Sequence, residues 1–311
     1  MPAQATPPRS RAADRQAHPG ESTDRVSDIL SIAEAVLKVS VIVFMIGNLL
    51  AVGLETNLRA ALAPLRDLRF VAMATLLDCL FCPALAWLLS WLLPVAPSYA
   101  TGLLLIGLTP AAPFLPMMVR RAGGDLAYTA AFMVIAAIAT VLLMPLAVPL
   151  IVPGLVDPWT VAKPLLMLLF LPMAAGIAVK TVAPLVAVRL LKVVRPVGSA
   201  ATVLLLVAIG VRYFEGFVEA VGSYAIAAQL IYAVGLVLGT YALSAGMPAS
   251  QRSVLSLGAC SHNLGAALAP LLVTPPDSRA MVMVALAVPV TLGVTYQAAG
   301  WLSNRAKREY R

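Results

Sequence analysis

The chain has 311 residues, of which 61% are hydrophobic and only 12% charged, with a mean hydropathy of +0.92. A soluble domain carries about 25% charged residues, so the composition excludes an ordinary soluble fold and reads as an all-α polytopic membrane protein. The net charge of +8 does not point to nucleic acid, because Lys and Arg sit in short stretches between apolar blocks, where they carry orientation information.

In chain order, residues 1–28 are rich in Pro, Arg, Ala, Asp and Ser and lack an apolar core. They read as a disordered tail and not as a signal peptide, which needs an apolar run close behind its positive start. Apolar blocks then recur at 29–54, 69–93, 99–121, 126–151, 160–183, 193–212, 219–245, 252–273 and 279–303. Each is long enough to cross a hydrocarbon core of ~30 Å, whereas a transmembrane barrel would show short alternating segments. Residues 29–303 are thus expected to form one transmembrane domain of nine helices, followed by a short basic tail, 304–311. Nine spans put the termini on opposite sides. Fourteen Lys and Arg fall on the C-terminal side, Arg59, Arg66, Arg69, Arg120, Arg121, Lys180, Arg189, Lys192, Arg195 and Arg252 among them, against eight on the other, four of those in the N-terminal tail. That bias predicts a cytoplasmic C-terminus in a cytoplasmic membrane. The cluster Lys180 to Arg195 reads as an anchor to anionic lipid or as a substrate funnel, and Glu215 and Glu219 as solvated loop residues. Nothing in the sequence speaks to oligomeric state.

Two spans are interrupted. The third contains LTPAAPFLPMM (108–118), with Pro110, Pro113 and Pro116, and prolines at this spacing cannot lie inside one regular helix. The eighth contains LGACSHNLGAALAP (257–270), with Gly258, Ser261, His262, Asn263 and Gly265 at its middle. Polar groups at that depth are costly in lipid and are tolerated where they line a wet cavity or are buried in protein. Kinked helices packed through small residues would carry the same pattern. The positions of the two interruptions favour more than that. The eighth span is second-last of spans five to nine, and the third is second-last of spans one to four. The halves match as an inverted repeat that lacks its first helix, and paired interruptions of this kind mark the midplane site of secondary transporters.

Several motifs, in order and spacing, resemble those of the bile acid:sodium symporter superfamily. Residues 110–125, PAAPFLPMMVRRAGGD, align without a gap to that family's P-G-G-T-A-S-N-V-V-T-Y-L-A-R-G-D and keep Pro110, Gly124 and Asp125. VFMIGNLLAVGL (43–54), DCLFCPALAW (78–87), MPL (144–146) and SHNL (261–264) resemble its F-G-M-G-L, Q-F-x-x-M-P-L-L-A-F, MPL and G-M-Q-N segments, so the likeness covers roughly 35–303. The resemblance implies a panel domain, a core domain holding two crossing broken helices, and secondary active transport of small or amphipathic organic anions with sodium by alternating access.

The sodium ligands implied by that resemblance are not all kept. The threonine, serine and asparagine of the first crossover fall on Pro113, Leu115 and Pro116, the shared glutamate falls on Gly258, and the hydroxyl-rich stretch 129–137 retains only Thr129. Hard cations want oxygen ligands, so one sodium site is expected to be dismantled. The two glutamines of the other site fall on Asp78 and His262, which are therefore expected to face each other and to carry Na⁺ or H⁺; the same two residues would also serve as a buried pair pinning one helix to another. Asn263 is a candidate for substrate, ion or helix–helix contact, Asn48 for the cavity wall, and Thr109 and Ser261 for extra oxygens or for satisfying their own helices. Cys79 and Cys82 read as small apolar residues on a buried helix. No nucleotide fingerprint or catalytic constellation is present, so neither an enzyme nor a cofactor beyond Na⁺ or H⁺ is expected. The rival readings are a non-transporting scaffold or receptor, and a metalloid exporter with Cys260 as its thiol.

Overall fold

The computed structural model describes residues 19–57, 61–152, 157–273 and 278–309, which form twelve helices. They are α1 (Pro19–Glu55), α2 (Leu68–Leu92), α3 (Pro97–Gly107), α4 (Leu115–Ala122), α5 (Leu126–Ile151), α6 (Pro158–Val182), α7 (Pro184–Arg212), α8 (Phe214–Ala220), α9 (Ala225–Leu243), α10 (Ala249–Cys260), α11 (Leu264–Val273) and α12 (Ser278–Glu309). Seven of them, α1, α2, α5, α6, α7, α9 and α12, are long and apolar enough to cross a membrane. The two remaining expected spans are the interrupted ones, split into α3 and α4 and into α10 and α11.

Several expected boundaries move. α1 begins at Pro19, ten residues inside the stretch expected as a disordered tail, while residues 1–18 lie outside the described residues. Proline costs nothing at a first helical position, and no other proline follows to stop a helix nucleated by the apolar block. α7 starts at Pro184, nine residues before the expected span, so Arg189 and Lys192 lie on a helix and not in a loop. α12 runs on to Glu309, through most of the expected basic tail. Glu215 and Glu219 lie on α8 and are exposed, with Glu219 paired to Arg279 at 2.9 Å.

The helices are apolar nearly all round, so their burial is decided by side-chain size and polarity. α5 turns Leu142, Leu146 and Leu150 outward and buries Ala136, Thr140 and Met144. The interior holds polar groups, among them Asp78, Gln229, Ser256, His262 and Asn263. Small residues set the closest approaches, as expected where lipid removes the hydrophobic drive between helices. α1 packs on α6 and α7. A Cβ added at Gly53 of α1 would lie 2.3 Å from the Met173 carbonyl oxygen, and one at Gly176 of α6 would lie 2.6 Å from that of Leu50. Prolines shape the helices that continue past them. Pro83 lacks an N–H and its ring crowds the carbonyl of Cys79, and the turn before it, Leu77–Phe81, widens into a π-helical turn that carries Asp78.

The Gly53–Gly176 contact predicts that Gly53→Leu, which overpacks it at a cost of about 1–3 kcal/mol, lowers the melting temperature of the detergent-solubilised protein. Gly210→Leu, at a position with nothing within 4 Å of an added Cβ, is expected to leave it unchanged. Equal melting temperatures for the two variants would count against this packing.

Candidate functional site

α3 and α10 each stop mid-molecule, and the two breaks meet. Pro110 and His262 form an antiparallel bridge, and the Asn263 N–H donates to the Thr109 carbonyl at 2.7 Å. α4 lies beside α10 and α11 beside α3, so the broken helices cross. Local chemistry explains each break. Pro110 has no N–H to continue α3, and the next residue, Ala111, adopts a left-handed φ of 67°, a conformation that costs a residue with a Cβ about 1–2 kcal/mol. The Thr109 hydroxyl donates back to the Ile106 carbonyl at 3.0 Å, and that of Ser261 to Leu257 at 2.7 Å. Both hydroxyls thus satisfy their own helices and add no ligand through their protons. Asn263 starts α11, its side-chain oxygen accepting from the Ala266 N–H at 3.3 Å. Pro113 lies within the first break, and Pro116 in the first turn of α4.

The bridge makes Ser261 to Asn263 extended, and neighbours in an extended segment point to opposite sides. Asn263 lines a small cavity with Pro110, Ala111 and Thr140. His262 turns the other way, stacks on Tyr232 with ring centroids 5.5 Å apart, and lines a second small cavity with Thr291 of α12. This corrects an expectation. Asp78 and His262 do not pair: no hydrogen bond or ion pair joins them, and both carboxyl oxygens and both ring nitrogens are without a partner. Asp78 sits on the π-helical turn of α2, one turn before Cys82. Tyr232 links the two regions, stacking on His262 while its hydroxyl donates to the Cys82 carbonyl at 3.2 Å.

Gly258 explains what became of the carboxylate implied at its position. The ring of Phe132 fills that space, and a Cβ on Gly258 would meet it at 2.4 Å. Thr129, the hydroxyl kept on the same helix, donates to the Asp125 carbonyl at 2.7 Å and lines a larger vestibule.

That vestibule lies between α1, α6 and α7 on one side and α4 and α5 on the other. It comprises adjoining hollows of about 430 and 530 Å³ that share Val52, Glu55, Pro116, Arg120 and Arg195. Lys180, Met133 and Leu126 line the first, and Asn48, Pro113 and Phe114 the second. Asn48 does reach the wall, but its amide also pins α1 to α7 by donating to the Gly198 carbonyl and the Thr202 hydroxyl, besides the Phe44 carbonyl of its own helix. Arg195 is ion-paired with Glu55. Arg120 is exposed on the wall and has no such partner among the described residues. The vestibule therefore joins cationic groups to apolar surface.

Sequence reading missed Gln229 and Ser256, buried with no partner for their side-chain atoms, as well as Tyr232 and Phe132. Gln229 in the middle of an apolar block is a visible signal of a buried polar site. Phe132 gives none, because its role depends on which helix faces Gly258.

At the basic end, Asp67 ties three helices together. It caps α2 by accepting from the Phe70 N–H at 3.2 Å, and it accepts from the Tyr128 hydroxyl of α5 at 3.0 Å and from the Gln251 amide of α10 at 3.2 Å. The Phe70 hydrogen bond, joined by those of Tyr128 and Gln251, holds its carboxyl below the usual carboxylate range against an opposing contribution from burial.

The family model described as the Sodium Bile acid symporter family matches residues 41–219, more than half the chain. No curated protein matches it.

Two outcomes are expected from this geometry. Gly258→Glu alone collides with Phe132 and yields little folded protein, whereas Gly258→Glu combined with Phe132→Ala recovers it, as size-exclusion profiles would read; equal yields would contradict the contact. Asp67→Ala costs about 1–2 kcal/mol at neutral pH. Because the native carboxyl is more acidic than the unfolded one at ~3.9, its contribution is complete above that value and disappears as the pH falls through the lower native value. Melting curves of the native chain and Asp67→Ala should converge in acid, and a gap independent of pH would refute the assignment.

Proposed function

The chain belongs to the sodium bile acid symporter family, a family of membrane solute transporters, and from that premise we propose that it is a secondary active transporter of small or amphipathic organic anions, coupled to Na⁺ or H⁺ and working by alternating access. The observation that carries the reading is the crossing of two broken helices beside a vestibule. Peptide groups freed from helical hydrogen bonding face that crossing, and the N-terminus of α4 adds partial positive charge near the vestibule wall.

In this reading the described helices make nine crossings, seven continuous and two broken, in an inverted repeat short of its first helix. α1, α6 and α7 are the panel, and α2 to α5 with α9 to α12 are the core. The vestibule, with Lys180, Arg120 and Arg195 at its wall, opens to the cytoplasm, where the C-terminus also lies. Its size is in the range of small-molecule sites, about 300–1,000 Å³. Arg120 takes the substrate carboxylate, for which guanidinium geometry is suited, while Val52, Leu126 and Met133 contact its apolar part. Rocking of panel against core then exposes the crossing from the other side.

Coupling falls to Asp78, with His262, Thr129 and Asn263 as further polar groups. A buried carboxyl with two unsatisfied oxygens is costly unless compensated, so a cation bound there is stabilised while the site is closed. The first crossover offers no side-chain oxygen at Pro113, Leu115 or Pro116, which supports a coupling stoichiometry reduced to one ion. A scaffold that has lost transport is the second reading, and Phe132 at Gly258 is the observation in its favour. A metalloid exporter is disfavoured, because the Cys260 thiol is buried and bonded to the Ala233 carbonyl.

Counterflow in proteoliposomes against a panel of organic acids, with imposed Na⁺ and pH gradients, separates these readings. Saturable, gradient-driven flux is expected, with the gradient dependence lost in Asp78→Asn. Arg120→Ala is expected to raise KM about tenfold or more, the loss of a charge-assisted hydrogen bond. Binding without flux would leave the scaffold reading standing, and flux still driven in Asp78→Asn would remove Asp78 from coupling.

A further inference from the structure

Away from the vestibule, an apolar groove of about 560 Å³ runs between α9 and α12. Leu230, Val234 and Leu238 form one wall, each more than 40% exposed, and Pro289 and Trp301 lie on the other. Pro289 removes a hydrogen bond from α12, and at Gly293, one turn on, an added Cβ would meet nothing within 4 Å. From Pro289 to Trp301 the groove spans about 18 Å at 1.5 Å per residue. That matches the depth of one leaflet, ~15 Å or half of a ~30 Å hydrocarbon core.

Its end is cationic. Tyr241 and Trp301 meet edge to face at 4.9 Å. The Arg252 guanidinium lies 3.6 Å over the Tyr241 ring, and that of Arg305 lies 4.8 Å over Trp301 and 5.7 Å over Tyr241. Arg252 donates to the Tyr241 carbonyl at 2.9 Å, yet its Nε is buried and unpaired. Arg69 approaches the same end, its guanidinium 3.2 Å from the Cβ position of Gly246. Asp67, two residues before Arg69, is already engaged by Phe70, Tyr128 and Gln251.

We propose that this groove and its arginine mouth bind one anionic phospholipid, an acyl chain lying between α9 and α12 and the phosphate on Arg305 and Arg252. Charge complementarity selects this occupant. Stacking on aromatic rings leaves the exposed Arg305 its N–H edge for phosphate oxygens, with Arg252, part of whose edge goes to the Tyr241 carbonyl, adding charge beside it. A second copy of the chain related by two-fold symmetry would bring these arginines toward their like. The inference rests on α9 and α12 crossing a membrane and not on the transport reading, so it stands or falls separately from any flux measurement.

The test uses the purified full chain, delipidated in detergent, with retained lipid counted by native mass spectrometry and stability read by melting. The probes are phosphatidylglycerol, phosphatidylcholine with the same acyl chains, and glycerol 3-phosphate. Phosphatidylglycerol is expected to be retained about tenfold better than phosphatidylcholine, the worth of a charge-assisted hydrogen bond, and glycerol 3-phosphate to have no effect. Arg305→Gln, at an exposed position, should erase the preference, and Gly293→Leu, whose side chain enters the open groove, should reduce retention of both lipids. Equal retention of the two lipids by the native chain overturns the proposal. So does a preference that survives Arg305→Gln, retention that Gly293→Leu leaves unchanged, stabilisation by glycerol 3-phosphate alone, or a dimer that Gly293→Leu dissolves.

Discussion

A peptide group at mid-depth in a membrane has no water to bond to, and that constraint organises this molecule. Two helices are broken there, and the break in each supplies part of what the other needs. The Thr109 carbonyl, freed where Pro110 interrupts α3, takes the Asn263 N–H, released at the end of α10. Neither interruption would be tolerable alone, and together they form a crossing fixed by main chain. Side chains around it are then distributed by the extended geometry of the bridge, which sends His262 toward α9 and α12 and Asn263 toward α1, α5 and α6.

The helices around the crossing carry buried polarity without partners. Asp78, Gln229, Ser256 and His262 have buried polar atoms without hydrogen-bond partners, a concentration that a purely structural core would be selected against. Phe132 at Gly258 removes one place for a carboxylate, while the π-helical turn ahead of Pro83 presents another at Asp78. In the proposed mechanism this is one rearrangement, with ion chemistry leaving the crossing itself and moving to the neighbouring helix. In the same proposal Arg120, without an ion-pair partner among the described residues, gives the vestibule the charge to receive an anion, while Arg195 is paired with Glu55.

Much of this was legible in the sequence, for reasons that are physical. Apolar blocks of about 20 residues report spans because bilayer thickness fixes their length. Prolines at 110, 113 and 116 and the polar run at 261–263 report breaks because lipid tolerates neither without a partner. Asp78 and His262 stood out as ionisable groups in apolar surroundings. What failed was their pairing, because residue types do not encode side-chain direction; the alternation imposed by the Pro110–His262 bridge does. Helix ends failed similarly. α1 and α7 extend into stretches that look polar because helix propagation is cheap once a long apolar segment has nucleated it. The vestibule was invisible, since Glu55, Arg120 and Arg195 come together only where α1 and α7 face α4 across it.

The central claim is that the vestibule is one side of an alternating cavity built around the crossing. Spin labels at Val188 on α7 and Leu126 on α5 face each other across it, at exposed positions that line its wall. Double electron–electron resonance in nanodiscs would measure their separation with and without a transported organic anion and coupling ion. The account predicts two distance populations whose ratio shifts when substrate and ion are added together. A single distribution, unchanged by any combination of ligand, ion and pH, would contradict it.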